Sequence, residues 1–492
     1  MRPNPHVLEI NTRCWLRQLR DKYGAPLTLA SVPDEEWQEL KHLGFDAVWL
    51  MGVWRQSPKG RDVARATPDL LKAVAAFRPD YDINDIAASP YAVRDYTLDP
   101  ALGAEGELAL LRAKLNGMGI GLFLDFVSNH LALDHALLES APDCFIQAGA
   151  AEVSAHPDWF FESAPGRFTA YGRDPNFPPW QDTAQLNYFN PRARAFMLDT
   201  LKKIASVCDG VRCDMVMLNL NDIHDATWGR LLGKNGFARP ETEFWDEAIR
   251  AVKEEHPHFT FMAEVYWGLE WRLQEMGFDY TYDKVLYDRM RLSGPVDVKS
   301  HLRAEKLYQK RSVRFLENHD EAPAVSAFGR EKSIASAVAM ATLRGMRLFY
   351  QPQIKGMNVK SPIQYSRADF PEDPFIGKLY SKIIKIADHP AFHGGEWALV
   401  EPRPAAPGDA AFNNLLCWSW HQRRTYKLII VNYSQNRAAG RVPVNASAKG
   451  DSYAFFDELS DIFMVRAAGE VRPDGLLVDL PPYGAHMLDL EF

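Results

Sequence analysis

Eight short apolar runs, separated by stretches of helical composition, occupy the first two-thirds of the chain. They fall at residues 7–15, 47–51, 121–126, 210–215, 260–265, 278–282, 313–317 and 346–350. Strands alternating with helices predict a parallel sheet, because each parallel strand needs a crossover of the length a helix supplies. Eight such strands are enough to close a barrel. One intervening stretch, residues 107–115, is rich in Glu, Ala, Leu and Arg, with Gly117 near its end.

Two regions break this rhythm. The connection from His130 to about Asn190 is too long for a turn and leaves the end of the third strand, so it predicts a small inserted domain. Beyond residue 395 come YKLIIVNYS, GRVPVN, YAFFDEL and LLVDLPPYGAHMLDL, strand-like pieces divided by Gly, Pro, Asn and Ser. The expected division is a barrel over 1–130 and 191–394, an insert over 131–190, and a C-terminal antiparallel β-sandwich over 395–492.

Charge excludes some partners. The net charge is -8 and basic residues form no dense block, so nucleic acid is not expected. No apolar run is long enough to cross a bilayer, and the opening MRPNPHVLEINTRCWL has no export signal, which predicts a cytoplasmic protein without a membrane partner. The five cysteines, Cys14, Cys144, Cys208, Cys213 and Cys417, follow neither a disulfide framework nor a CxxC zinc pattern. The 13 Trp, 18 Tyr and 27 Phe matter because many lie in loop-like sequence, where they anchor loops or offer flat stacking faces.

Four segments carry polar residues at the ends of apolar runs: LDFVSNH (124–130), GVRCDMV (210–216), AEVYW (263–267) and FLENHD (315–320). Strand C-termini of a parallel barrel open on one face, so Asp125, Asp214, Glu264 and Asp320 should converge there. Alternation puts Arg212 and Asp214 on one side of their strand and Cys213 on the other, toward the helices. An inward arginine keeps its neighbouring carboxylate ionised and fixed in direction, as a nucleophile requires. Val265, Tyr266 and Trp267 beside Glu264 favour the protonated carboxyl by desolvation, as a proton donor requires. Asp320 adds a carboxylate able to stabilise positive charge, and His130 and His319 are donors suited to hydroxyl groups.

Other readings of the same residues stand beside this one. Arg212 and Asp214 also fit a buried structural ion pair, and a His, Asp and Glu cluster at a barrel mouth also fits a catalytic metal. Against the metal, each His is paired with a neighbouring Asn or Asp, without HxH or HExxH spacing. The GxSxG elbow of a serine hydrolase is absent.

In combination and order, these segments resemble the α-amylase superfamily, glycoside hydrolase family 13. LDFVSNH is similar to the family's first region, with Asp125, Asn129 and His130 at its functional positions. GVRCDMV resembles the second, AEVYW the third and FLENHD the fourth, while AQLNYFNP (184–191) resembles the fifth. SPYAVRDY is similar to the stretch that carries the aromatic platform under the central sugar.

The resemblance implies a (β/α)8 TIM barrel with a small domain after strand 3 and a C-terminal antiparallel β domain. It implies Asp214 as nucleophile, Glu264 as acid/base and Asp320 as transition-state stabiliser. Arg212, His130, His319, Tyr91 as platform and Asp95 as its support would contact substrate, an α-glucan or small α-glucoside cleaved with retention. No cofactor is required for that chemistry, and the resemblance leaves room for a structural calcium ion beside Asn129, an inference that AQLN in place of PDLN weakens.

Transfer or isomerisation would use the same carboxylates and the same covalent intermediate. The chain departs from the family pattern at Met215–Leu218, where many members place Lys and His, at AQLN for the common PDLN, and at FYQPQIKG for a YYG-type sequence. The insert carries Phe168, Tyr171, Phe177, Trp180 and Tyr188, which with the missing export signal points to short malto-oligosaccharides.

Overall fold

The computed structural model describes residues 1–367 and 369–491. Its barrel strands are β1 (His6–Asn11), β2 (Ala47–Met51), β3 (Gly121–Val127), β4 (Gly210–Asp214), β5 (Thr260–Ala263), β6 (Tyr280–Tyr282), β7 (Ser312–Arg314) and β8 (Met346–Tyr350). Each pairs in parallel with the next, and β8 closes the ring on β1. Every apolar run therefore delivers its C-terminal residues to one rim.

The register brings Arg212 beside Asp125 on β3 and beside Met262 on β5. Cys213 points the other way, into the packed layer between strands and helices, and all five cysteines are buried and free.

Three strands end two or more residues earlier than expected, with consequences for the site. Residues 12–15 belong to helix α1 (Thr12–Tyr23), not to β1, because the Asn11 side chain accepts the Cys14 N–H and caps a helix. Trp15, Leu16 and Leu19 then bury on one helical face, a spacing that strand alternation cannot produce. β5 stops at Ala263 and β7 at Arg314, so Glu264, His319 and Asp320 lie on irregular backbone at the rim.

After β3 the chain builds a two-stranded ladder, His130–Ala132 with Thr183–Gln185, and a three-stranded sheet of Gln147–Ala148, Arg167–Ala170 and Phe160–Ala164. Ile146, Phe160 and Phe189 pack there against Trp228, Leu231 and Leu232 of the helix Asn221–Asn235, seating this segment on the barrel.

From Glu396 onward come a six-stranded antiparallel sheet and the two-stranded sheet Ala438–Val442 with Leu476–Leu480. Alternation divides the work of the strand Leu415–Gln422. Leu415 and Cys417 face the core between the two sheets, while Leu416, Trp418 and Trp420 face the barrel. Among the described residues, no helix is long and apolar enough to cross a membrane.

Candidate active site

Asp214 ends β4 and Glu264 is the first residue beyond β5, so adjacent strands carry the two carboxylates. Arg212 joins them. Its Nη1 lies 2.6 Å from Asp214 Oδ1, and its Nη2 lies 2.9 Å from Glu264 Oε1 and 3.8 Å from Asp320 Oδ2. The planar fork of a guanidinium imposes a fixed relative placement on carboxylates bound to its two arms. Rings of Trp49, Tyr91 and Tyr282 surround its carbon at 5.2–5.7 Å, adding favourable ring faces to a cation with no access to water.

Local backbone is bent to serve Glu264. The Met215 N–H donates to Glu264 Oε2 at 2.7 Å, and the Tyr266 hydroxyl donates to Oε1 at 3.0 Å. Met215 (φ 43°) and Trp267 (φ 65°) occupy the left-handed region, a costly conformation for bulky side chains that clusters at functional sites.

Burial raises the Glu264 carboxyl to about 7, and the neighbouring Asp214 and Asp320 charges add to the effect against the pull of Arg212. Asp320 behaves oppositely. Enclosure in the cleft opposes its charge, but His319, Arg212 and Lys360 outweigh that and hold its carboxyl well below the usual range.

Asp214, Glu264 and Asp320 line a cleft of about 970 Å³, and Tyr91, His130 and His319 line it with them. His319 Nε2 sits 2.8 Å from the Tyr91 hydroxyl and 3.0 Å from Asp320 Oδ2. His130 is buried, and its ring lies 5.0 Å from that of Trp180. Of the expected residues, Asp214, Glu264, Asp320, Arg212, Tyr91, His130 and His319 are thus brought together.

Residues 35–374 match the family model described as the alpha amylase catalytic domain. The chain belongs to the α-amylase family. Alpha-amylase MalA of Haloarcula japonica is 25% identical over 352 residues, covering 70% of this chain but 44% of that relative's length. Among solved structures, a noncanonic maltogenic alpha-amylase, AmyB from Thermotoga neapolitana, superposes with TM-score 0.67 at 18% identity, over 99% of each chain. Geobacillus thermoleovorans alpha-amylase in complex with acarbose gives TM-score 0.67 at 18% identity, covering 99% of this chain and 98% of that one. Bacillus licheniformis trehalose-6-phosphate hydrolase gives 0.65 at 15%, covering 100% and 99%. These structural likenesses are likenesses of fold.

Two expectations drawn from the α-amylase family are corrected by the geometry. Asp95 is exposed on the strand Val93–Leu98, opposite Arg55 and outside the cleft lining. Alternation explains it: Tyr96 and Leu98 take the inward side of this strand, and Asp95 and Thr97, before and between them, are exposed on the other.

Asn129 does not present a calcium cage. Gln185, at the Asp position of PDLN, pairs with it amide to amide. Asn129 Nδ2 donates to Gln185 Oε1 at 3.2 Å, and Gln185 Nε2 donates to Asn129 Oδ1 at 3.0 Å. The same Nε2 reaches the carbonyls of Asn129 and Leu186, both at 3.0 Å. Oxygens that a hard cation would take already accept N–H groups, and neither side chain brings a charge. This pair does not fit calcium.

Asp125 is closed off as well. Its oxygens accept the Trp49 indole N–H at 3.0 Å and the Gly52 N–H at 2.7 Å, so it ties β2 to β3 beneath the cleft. Sequence reasoning missed Glu9, whose Oε1 lies 2.6 Å from His319 Nδ1. The signal was a lone carboxylate inside the apolar run VLEIN.

Proposed function

We infer that this protein hydrolyses short, neutral α-glucosides such as malto-oligosaccharides by a double displacement with retention. One observation carries the reading: a single buried guanidinium orients Asp214 and Glu264 on neighbouring strand ends, facing one cleft with Asp320.

Asp214 attacks the anomeric carbon while protonated Glu264 gives its proton to the departing oxygen. Asp320 stabilises the oxocarbenium-like transition state. Ionised Glu264 then draws a proton from water, which attacks and releases the sugar with its configuration retained. Asp320 is poised as an anion by His319, and Glu264 as an acid by burial, which divides the roles between chemically similar side chains.

The substrate class is read from the cleft wall, where Trp180, Phe177 and Trp267 offer rings and Asp174, Asp182 and Glu270 offer carboxylates. Lys284 is already paired with Asp288 at 2.8 Å and Glu321 at 3.0 Å. Such a wall favours an uncharged sugar as leaving group and repels a phosphate. The same rings would seat a sugar acceptor, which supports transfer as a second outcome of the glycosyl intermediate.

The test is time-resolved product analysis on maltose, maltotriose, longer α-glucans, sucrose, trehalose and trehalose 6-phosphate, with the first anomer formed read by NMR. Expected are retained configuration and the highest kcat/KM on a short neutral substrate. Initial inversion would end the mechanism. Faster cleavage of polymer, or of the phosphorylated disaccharide, would end the substrate assignment.

A further inference from the structure

β1 puts one charged side chain inside the barrel. Glu9 is fully buried, sharing its strand face with Val7 and Asn11. Its Oε1 lies 2.6 Å from His319 Nδ1 and accepts the His319 backbone N–H at 3.3 Å, while Oε2 has no protein partner. A carboxylate stripped of water is costly unless a partner offsets it, so its presence here points to a use for its charge. An apolar residue would fill this position at no such cost.

The opposite edge of the imidazole faces the cleft. Nε2 stands 2.8 Å from the Tyr91 hydroxyl and 3.0 Å from Asp320 Oδ2. The ring stacks on Tyr91, with centroids 5.2 Å apart and planes 24° apart, and meets Trp49 edge-on at 5.6 Å. From behind, Lys360 donates to the His319 carbonyl. Oxygen acceptors thus stand at both ring nitrogens, and packing fixes the ring plane between them.

We propose that Glu9 is a positioning residue, whose carboxylate holds His319 as a ring that donates from both nitrogens and so keeps Asp320 and Tyr91 aligned with the reacting sugar. This rests on the reading of Asp320 and Tyr91 given above. The electrostatics agree: burial works against the charge on His319, but Asp320 and Glu9 outweigh it and push the imidazolium up to about 10. The charged or titratable groups around the ring are Glu9 from β1, Tyr91 from the loop after β2, Asp125 from β3, Arg212 from β4, Asp320 beside it and Lys360 from beyond β8.

The experiment uses the full chain with ¹⁵N-labelled histidine. The His319 signals are identified among 14 histidines by their loss in His319→Gln. In the wild type, both ring nitrogens are expected to stay protonated from pH 5.5 to 8.5. In Glu9→Gln the ring should titrate within that window, and kcat/KM should fall about 10- to 100-fold, more steeply above neutrality. Glu9→Gln added to His319→Gln should cost nothing further.

A wild-type ring that titrates near 6.5 would overturn the proposal, and so would a Glu9→Gln protein with unchanged ring state and activity. Additive losses in the double variant would place the action of Glu9 elsewhere and overturn it too. If Glu9→Gln does not fold, the wild-type spectra decide. A locked imidazolium in a protein that cleaves no α-glucoside would retain the Glu9–His319 pairing and reject the functional reading alone.

Discussion

Two fully buried arginines mark the two ends of the barrel, and their surroundings differ in kind. At the rim, Arg212 meets Asp214, Glu264 and Asp320. Near the strand N-termini, Arg347 donates to the carbonyls of Leu343 (3.0 Å) and Phe392 (2.7 Å) and to His6 Nε2 (3.1 Å).

Burial opposes both charges. Around Arg212, carboxylates and ring hydroxyls outweigh burial and push the guanidinium well above its ordinary value. Around Arg347, dipoles do not, and burial together with Arg2 brings it down to about 9. One end uses a buried cation to hold carboxylates at the cleft. The other uses it to satisfy carbonyls where helix, strand and the C-terminal sheet meet, with Trp420 5.8 Å away.

The sharpest break between the ends would come from Asp214→Ala. It should lower kcat by about 10⁴-fold or more and abolish the covalent intermediate with an activated α-glucoside. Normal burst kinetics in that variant would remove Asp214 from the nucleophile's role.

Arginine substitutions come next. Arg212→Met strands buried carboxylates and should cost about 3–5 kcal/mol of stability by urea unfolding, along with most activity. Arg347→Met orphans carbonyls, should cost about 1–3 kcal/mol, and should leave kcat per folded molecule within about twofold. Equal loss of kcat in both variants would erase the distinction between the ends.

Tyr91→Ala should then lower kcat/KM by about 10²-fold through loss of the stacking face and the His319 contact, with the fold retained by circular dichroism.

Proton affinity gives a smaller, graded effect. In the proposed mechanism Glu264 carries a proton in the first step, and burial pushes its carboxyl up to about 7, so kcat/KM should fall above neutrality. Its folded value is raised, so its contribution to stability is full below about pH 4.3 and is lost as pH climbs through about 7. A profile flat to pH 9 would contradict the assignment of Glu264 as acid.

The smallest effect is expected from chelation. With Gln185 paired to Asn129, EDTA should move Tm by less than about 1 °C if stabilisation by calcium at this pair is what chelation would remove, because the paired amides leave no cage for the ion.

Much of this arrangement was legible in order along the chain. Alternating apolar runs and helical stretches predict the parallel barrel, and polar residues at the ends of four of the eight runs mark the rim, which is how Asp214, Glu264 and Asp320 stand out. AQLN for PDLN also signals, before any coordinates, that a charge is missing beside Asn129. Other features needed the fold. Whether Asp95 faced the cleft depended on the register of a short strand against Arg55. Where β1 stopped depended on Asn11 capping a helix.

Glu9 and His319 stand 310 residues apart. Periodicity and motif spacing report on neighbours along the chain, whereas a carboxylate acquires its meaning from charges that barrel closure brings within 3 Å. The sequence by itself determined the architecture and brought Asp214, Glu264 and Asp320 forward as carboxylates at one rim, because both are written as local pattern. Only the tertiary structure decided which carboxylate burial favours as an acid, which one nearby cations favour as an anion and which one meets a histidine, because those tendencies follow from distance, burial and the sign of the nearest charge.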